Sequence, residues 1–327
     1  MPRSSAVPPP VTAVIDAAGA WLPTRMGEVE RRLREIAGAY GPPLGADATD
    51  TLKAGGKRMR PMLVLICSGP DAPDAAVRAA VAVELVHMAT LVHDDVLDAA
   101  PVRRGRPTVV ANSGRARAVG VGDLLLSRAF AWLAAAGDAR AVAVLSSSCV
   151  ALAKGELDQR SDAFDTSITE ERYVERCRLK TAQLFACSCR LGRIAADLPG
   201  EAALARFGEV IGLAFQLLDD VLDVTGPPER TGKARGTDLL DGTVNLPLIL
   251  ASRVDPEIAA TSLHGIEPPA AEALCEKIEA TGVLEEVRGR ARDGVKQAKA
   301  ILAASELGDD ERELLCLVAD GVVERYS

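Results

Sequence analysis

The sequence predicts an all-α protein, a single large helical bundle. Three observations carry this. Apolar residues recur three and four positions apart through long segments, the helical period, and alternating strand patterns are hard to find. Hydrophobic residues make up 48% of the chain but aromatics only 3%, so a cavity in its interior is expected to be lined by methyl groups. Gly and Pro breaks separate the helical segments, and no long linker divides them into domains.

The elements follow in order. Residues 1–10 read as a disordered leader and 11–327 as one helical domain. The short apolar run after Arg3 is broken by Pro8, Pro9, Pro10 and Asp16, so no signal peptide is expected. Helices are predicted at 11–39, 56–68, 74–98, 115–136 and 138–160, with Gly41-Pro42-Pro43 and Gly69-Pro70 as early breaks. Further helices at 169–191, 200–223 and 245–252 are punctuated by Pro199-Gly200 and Gly226-Pro227-Pro228. Pro268-Pro269 opens the closing set at 268–281, 283–304 and 309–325.

At 327 residues the chain is long for one domain, but one large core accommodates it. The formal charge of −8 argues against a nucleic-acid partner, which needs a basic surface. An acidic protein binds an anion only through metal ions or a local basic cluster. The seven cysteines form no framework, and Cys187 and Cys189 are too close for an ordinary zinc or redox pair, so they read as buried reduced thiols. No stretch resembles a membrane span; the nearest approach, 141–153, is interrupted by Ser146, Ser147 and Ser148. A soluble, cytoplasmic protein is expected.

The pentapeptide Asp-Asp-Val-Leu-Asp occurs twice, at Asp94 to Asp98 and at Asp219 to Asp223. Each copy ends a predicted helix, before Pro101 in one case and Gly226-Pro227 in the other. Positions i and i+4 share a helix face, about 6 Å apart along the axis, so Asp94 pairs with Asp98 and Asp219 with Asp223. Asp95 and Asp220 are rotated about 100° away. Crowded carboxylates at a helix C-terminus repel one another unless a cation sits between them. Hard carboxylate oxygens suit Mg²⁺. A solvated acidic face explains one such motif; two identical copies, each behind apolar residues, favour a metal-filled rim holding a polyanion.

Basic groups answer the acids. Gly55-Gly56-Lys57-Arg58-Met59-Arg60-Pro61 opens a helix, with Lys57 and Arg60 on one face and Arg58 elsewhere. Arg103-Arg104-Gly105-Arg106-Pro107 follows the first acidic copy closely enough to share its rim, and guanidinium groups grip phosphate oxygens. Lys180-Thr181 and Gly232-Lys233 add cations. His87 lies seven residues before Asp94 on the same face, where a core histidine is an equally good reading. Together these features suit a diphosphate at the rim and a hydrocarbon tail in the aliphatic pocket beneath.

The residues resemble the trans-isoprenyl diphosphate synthase (polyprenyl synthetase) family from about residue 20 to the end. The carriers are Gly-Gly-Lys-Arg-Met-Arg-Pro, His-Asp-Asp-Val-Leu-Asp with Arg-Arg-Gly-Arg-Pro-Thr, Gly-Glu-Leu-Asp-Gln at 155–159, Lys180-Thr181, Phe-Gln-Leu-Leu-Asp-Asp-Val-Leu-Asp, and Gly-Lys-Ala-Arg-Gly-Thr-Asp-Leu at 232–239. The resemblance implies an isoprenoid-synthase bundle with a central deep hydrophobic cavity, a homodimer and roughly three Mg²⁺ ions per site. Asp94, Asp98 and Asp219 resemble the principal metal ligands, with Asp95, Asp220 and Asp223 supporting. Arg103, Lys180 and Lys233 resemble the allylic diphosphate site, and Lys57, Arg60, His87 and Arg104 the isopentenyl diphosphate site. Thr181 and Gln216 look like polar groups beside a developing carbocation. The implied reaction ionises the allylic C–O bond, adds the isopentenyl double bond to the cation and releases a proton, lengthening the chain by one isoprene unit. One departure stands out: many members carry a lysine where Thr243 stands in Gly242-Thr243-Val244-Asn245-Leu246-Pro247.

Chain length is read from the helix that carries Asp94. Ala89 and Thr90, one turn before it, are small where short-chain relatives commonly carry an aromatic residue. A medium- or long-chain product of about thirty carbons or more is expected, with Phe130 or Trp132 as candidate floor. The alternatives are a short-chain farnesyl or geranylgeranyl diphosphate synthase and a class I terpene cyclase. The cyclase fits less well, because its second motif is of Asn/Ser/Glu type and its cations are steered by aromatic rings. An HD-type phosphohydrolase needs more histidines than the three present, and inactive partner subunits tend to lose the acidic motifs kept here.

Overall fold

The computed structural model describes residues 9–41, 44–53, 55–103, 105–226 and 235–324. Seven helices and one hairpin build its first half: α1 (Pro9–Ala18), α2 (Trp21–Gly38), α3 (Leu44–Lys53), α4 (Met59–Ser68), α5 (Asp74–Leu97), β1 (Val102–Arg103), β2 (Arg106–Pro107), α6 (Val109–Ser113) and α7 (Arg115–Ala134). The second half comprises α8 (Ala139–Ser161), α9 (Glu170–Cys177), a π-helical turn (Arg178–Ala182), α10 (Gln183–Ala196), α11 (Glu201–Thr225), α12 (Thr237–Leu240), α13 (Leu246–Val254), α14 (Pro256–Ala259), α15 (Pro268–Ala280), α16 (Val283–Ala303) and α17 (Asp309–Glu324). The fold is therefore all-α, as the periodicity predicts, with one two-residue antiparallel ladder among the described residues.

Helix α5 is the axis of the bundle. It packs against α2, α4, α7, α8 and α10, while α11 lies between α10 and α16. Its residues are buried on nearly all sides, from Ala76 to Val96. By length and composition α5 could cross a membrane, although the sequence pointed to 141–153 as the nearest approach; 72% of its most apolar window is buried inside the fold. A helix apolar all round is what a central core position demands. Aliphatic side chains fill the rest of the core: Leu22, Leu33, Leu63, Leu85, Leu125 and Leu133 are fully buried, each contributing about 1.5–3 kcal/mol by area.

Several boundaries differ from expectation for identifiable reasons. The span 11–39 is two helices, because Gly19 takes a φ of 65° between them, and the first already includes Pro9, so the expected leader lies largely outside the described residues. α4 starts at Met59 because Arg58 takes the left-handed conformation, with φ of 49°. From there its guanidinium bonds Glu30 on α2 and Glu84 on α5, each at 2.6 Å. Helices α3 and α6, unforeseen in the sequence, are short and rich in weak helix formers. The span 169–191 is interrupted by the π turn and continues to Ala196.

Candidate active site

Helices α5, α7, α8, α9 and α11, the π turn and the segment 238–245 enclose one cavity of about 670 Å³. It is lined by Asp94, Asp98, Arg103, Lys180, Thr181, Gln216, Asp219 and Asp220 at the polar end, together with Arg60 and His87. Apolar walls come from Val86, Ala89, Leu126, Leu152 and Phe215. Most of the residues singled out in the sequence are thus brought to one chamber. Arg104 and Lys233 lie outside the described residues. Lys57 does not line the cavity, and neither do Asp95, Asp223, Phe130 or Trp132.

The first acidic motif lies at the end of α5, with Asp98 as its C-cap residue. Asp94 keeps part of its surface open to the cavity but has protein on most sides. That desolvation pushes its carboxyl up to about 6, against the pull of Lys180. Asp98 is paired with Arg160 of α8. Asp95 is buried and accepts Arg103 Nε at 2.6 Å. The hairpin explains how Arg103 reaches it: pairing Val102 with Pro107 and Arg103 with Arg106, closed at Gly105 with φ of 73°, folds the chain back over the end of α5. Thr108 locks the fold-back by donating to Ala100 O at 2.6 Å and capping α6.

The second motif stays within α11, which runs on to Thr225. Asp219 faces the cavity. Asp220 is buried: Oδ2 accepts the Tyr173 hydroxyl at 2.5 Å and Oδ1 the Gln216 amide at 2.8 Å. Burial, with Asp238 nearby, pushes its carboxyl up to about 7. Asp223 accepts the Asp238 backbone N–H at 3.2 Å, which ties the following loop to α11. Asp95, Asp220 and Asp223, expected as supporting metal ligands, are thus each engaged by protein donors.

Lys180 and Thr181 sit on the π turn, whose wider winding shifts the side chains off the α-helical register. Gly155 permits the close approach of α8: a Cβ there would lie 2.6 Å from the Lys180 nitrogen. The adjacent Glu156 pairs with Lys180 and accepts Arg160 Nε at 2.9 Å. Burial opposes ionisation of Glu156, but Lys180 and then Arg160 outweigh it and hold the carboxyl below its usual range. Thr181 donates to Gln216 Oε1 at 2.8 Å. Arg60 stacks over Phe185 with 4.7 Å to the ring centre.

Glu156, Arg160, Tyr173 and Arg176 border or brace the site without having been assigned roles from the sequence. Glu156 and Arg160 are i,i+4 on one helix, a legible spacing, but their tie to Lys180 and Asp98 needs α8 beside α5 and the π turn. Thr243, where a lysine was expected from the resemblance, lines the cavity and donates its backbone N–H to Asp238 O at 2.7 Å. Asn245 caps α13 by accepting from Leu248 N. Cys149 and Cys177 also line the cavity; burial pushes their thiols up to about 11 and about 12, so they stay protonated. All seven cysteines are free.

Trp132 lies under Arg78 and Arg32, with 4.8 and 5.9 Å to its ring centre, so it closes the far end of the bundle and not the cavity. Phe130 lies one helical turn beyond Leu126, which does line the cavity.

Comparisons with known proteins agree with this geometry. A model of the polyprenyl synthetase family matches residues 43–280. Heptaprenyl diphosphate synthase component 2 of Geobacillus stearothermophilus is 40% identical over 279 residues, covering 83% of this chain and 87% of its own. The short chain isoprenyl diphosphate synthase of Methanothermobacter thermautotrophicus is 38% identical over 311 residues, covering 90% and 95%. Among solved structures, the polyprenyl synthase of Caulobacter crescentus CB15, complexed with calcium and isoprenyl diphosphate, superposes with a TM-score of 0.90. It is 33% identical, covering 95% of this chain and 98% of that one.

Proposed function

We infer that this chain, which belongs to the polyprenyl synthetase family and is a trans-prenyl diphosphate synthase, joins isopentenyl diphosphate to an allylic diphosphate to give a medium- or long-chain product. One observation carries the reading: two aspartate motifs, Lys180 and Arg103 meet at the polar end of a cavity whose remaining walls are apolar, mostly aliphatic with Phe215 as an aromatic member. A diphosphate fits the first part and a hydrocarbon tail the second.

The donor set fits Mg²⁺. Asp94, Asp98 and Asp219 offer hard oxygens from two helices bordering the same chamber. Among the described residues no three acidic, histidine or cysteine side chains converge on one point, so diphosphate oxygens would complete each ion's shell. Mg²⁺, when bound, neutralises charge on the leaving diphosphate. The chain's own groups do the rest. Lys180 and Arg103 present cations to the same diphosphate, which lowers the barrier to C–O cleavage. Thr181 and Gln216 place oxygens along the wall where positive charge develops. Arg60 and His87 lie where a second diphosphate can be held, and the aliphatic walls exclude water that would capture the cation.

Small residues on α5, Ala89 and Thr90, support the longer product. A homodimer through α8 is supported by a stripe of exposed, mostly apolar residues on that helix. Ala143, Ser146, Val150, Ala153 and Leu157 alternate three and four apart, and Val150 and Leu157 are 68% and 67% exposed. The free thiols suit a reducing compartment such as the cytoplasm.

The test is direct. The purified chain alone, with Mg²⁺, isopentenyl diphosphate and each short allylic primer, should yield a product of defined mass. No condensation with any primer would overturn the reading.

A further inference from the structure

Three side chains in series connect a fully buried ring to the cavity wall. Tyr173 on α9 donates its hydroxyl to Asp220 Oδ2 at 2.5 Å. Gln216, one turn before Asp220 on α11, donates its amide nitrogen to Asp220 Oδ1 at 2.8 Å. Gln216 Oε1 accepts the hydroxyl of Thr181, on the π turn, at 2.8 Å. Tyr173 is 1% exposed and Asp220 3%, so water does not substitute for these partners.

The chemistry of the groups dictates direction. With Oδ2 taken by the Tyr173 hydroxyl, Asp220 offers Oδ1 to the NH₂ end of the Gln216 amide, and the carbonyl oxygen is turned the other way. Tyr173 occupies the second carboxylate oxygen and fixes its orientation. Thr181 has one hydroxyl proton, and it is used on Gln216. The threonine oxygen therefore shows lone pairs to the cavity that it lines. An amide turned round would reverse both ends of this arrangement: NH₂ would face Thr181, whose proton would then be free to point into the cavity. Partial positive charge would meet a developing carbocation where partial negative charge meets it now.

We propose that Tyr173 and Asp220 are positioning residues, which lock Gln216 and Thr181 with oxygen facing the allylic carbon as its bond to diphosphate breaks. Asp220 then acts through the amide and not as a metal ligand. The proposal rests on the prenyl-transfer reading above and gives Tyr173, which lies deep in the wall, a part in that reaction.

The experiment is a double-mutant cycle with the full-length enzyme. Tyr173→Phe and Asp220→Asn preserve shape; the first removes the donor, and the second allows the amide to turn. Each should lower kcat about 10- to 100-fold, with KM for both diphosphates and the Mg²⁺ concentration for half-maximal rate within about twofold of the parent. Tyr173→Phe added to Thr181→Val should cost little further, because both cut the same chain. Thermal melting of each variant confirms folding. Additive losses, an unchanged kcat in folded Tyr173→Phe, or a tenfold rise in the Mg²⁺ requirement of Asp220→Asn would each overturn the proposal. A parent that forms no prenyl product would overturn the reaction and the proposal together, whereas an active parent with an indifferent Tyr173→Phe overturns the second alone.

Discussion

Glu156 of α8 pairs with Lys180 of the π turn, and its other oxygen accepts Arg160, which in turn pairs with Asp98 at the end of α5. One carboxylate thereby ties the lysine of the diphosphate site to the first acidic motif. Glu156→Ala would leave Lys180 and Arg160 without their shared acceptor, and both would shift towards the acids around them. The expected result is about a tenfold loss in kcat/KM for the allylic diphosphate. Glu156→Gln, which still accepts a hydrogen bond, should lose less. Steady-state kinetics with the allylic substrate varied checks this, and equal losses in both variants would show that the hydrogen bond does not matter.

Asp94→Ala and Asp219→Ala should each lose at least ~10³-fold in kcat, since each removes an oxygen that holds charge at the leaving diphosphate. Near-normal turnover in either would remove the metal assignment. Their melting temperatures should fall little, because metal-free carboxylates crowded within one or two helical turns repel one another.

The pH dependence has a definite sign. Burial pushes the Asp94 carboxyl up to about 6 in the folded protein, above the 3.8 of an unperturbed aspartate. The folded state therefore binds more protons than the unfolded state between these values, and metal-free stability falls as pH rises from about 4 through 6. Above 6 that loss is complete. Mg²⁺ with diphosphate binds the ionised form, so the rise in melting temperature on adding both should be larger at pH 8 than at pH 5.5. Scanning calorimetry at both pH values checks it; Asp94→Asn should flatten the metal-free dependence.

Val150→Asp should convert a dimer to a monomer, as seen by light scattering, since it places a charge in the middle of the exposed α8 stripe. A parent that is monomeric at micromolar concentration would remove the pairing proposed for α8.

Product length should respond to the wall of the chamber. Ala89 lines the cavity one turn from Asp94, so Ala89→Phe should shorten the product while the first condensation proceeds above it. Leu126→Ala should lengthen it by opening the way towards Phe130. Trp132→Ala should leave it unchanged, because that ring packs under Arg78 and Arg32. The mass of the longest product from each variant decides, and an unchanged length in an active Ala89→Phe would mean that the tail does not pass that residue.

The sequence by itself determined the fold class and the reaction. Helical periodicity with few aromatics specifies an aliphatic bundle, and Asp94 to Asp98 repeated at Asp219 to Asp223 is a local pattern whose spacing places acids on one face whatever surrounds them. The resemblance to a known family, and not the local pattern, located Lys180, Thr181 and Gln216. Only the tertiary structure decided what each carboxylate does. Asp94, Asp219 and Asp220 all line the cavity, but Asp220 is held there by Tyr173 and Gln216, while Asp95 lies behind it, held by Arg103. Arg103 and Tyr173 lie on other elements, the hairpin and α9, which only packing brings beside α5 and α11. Hydrogen-bond geometry of this kind depends on distances between segments remote in sequence, which periodicity does not encode.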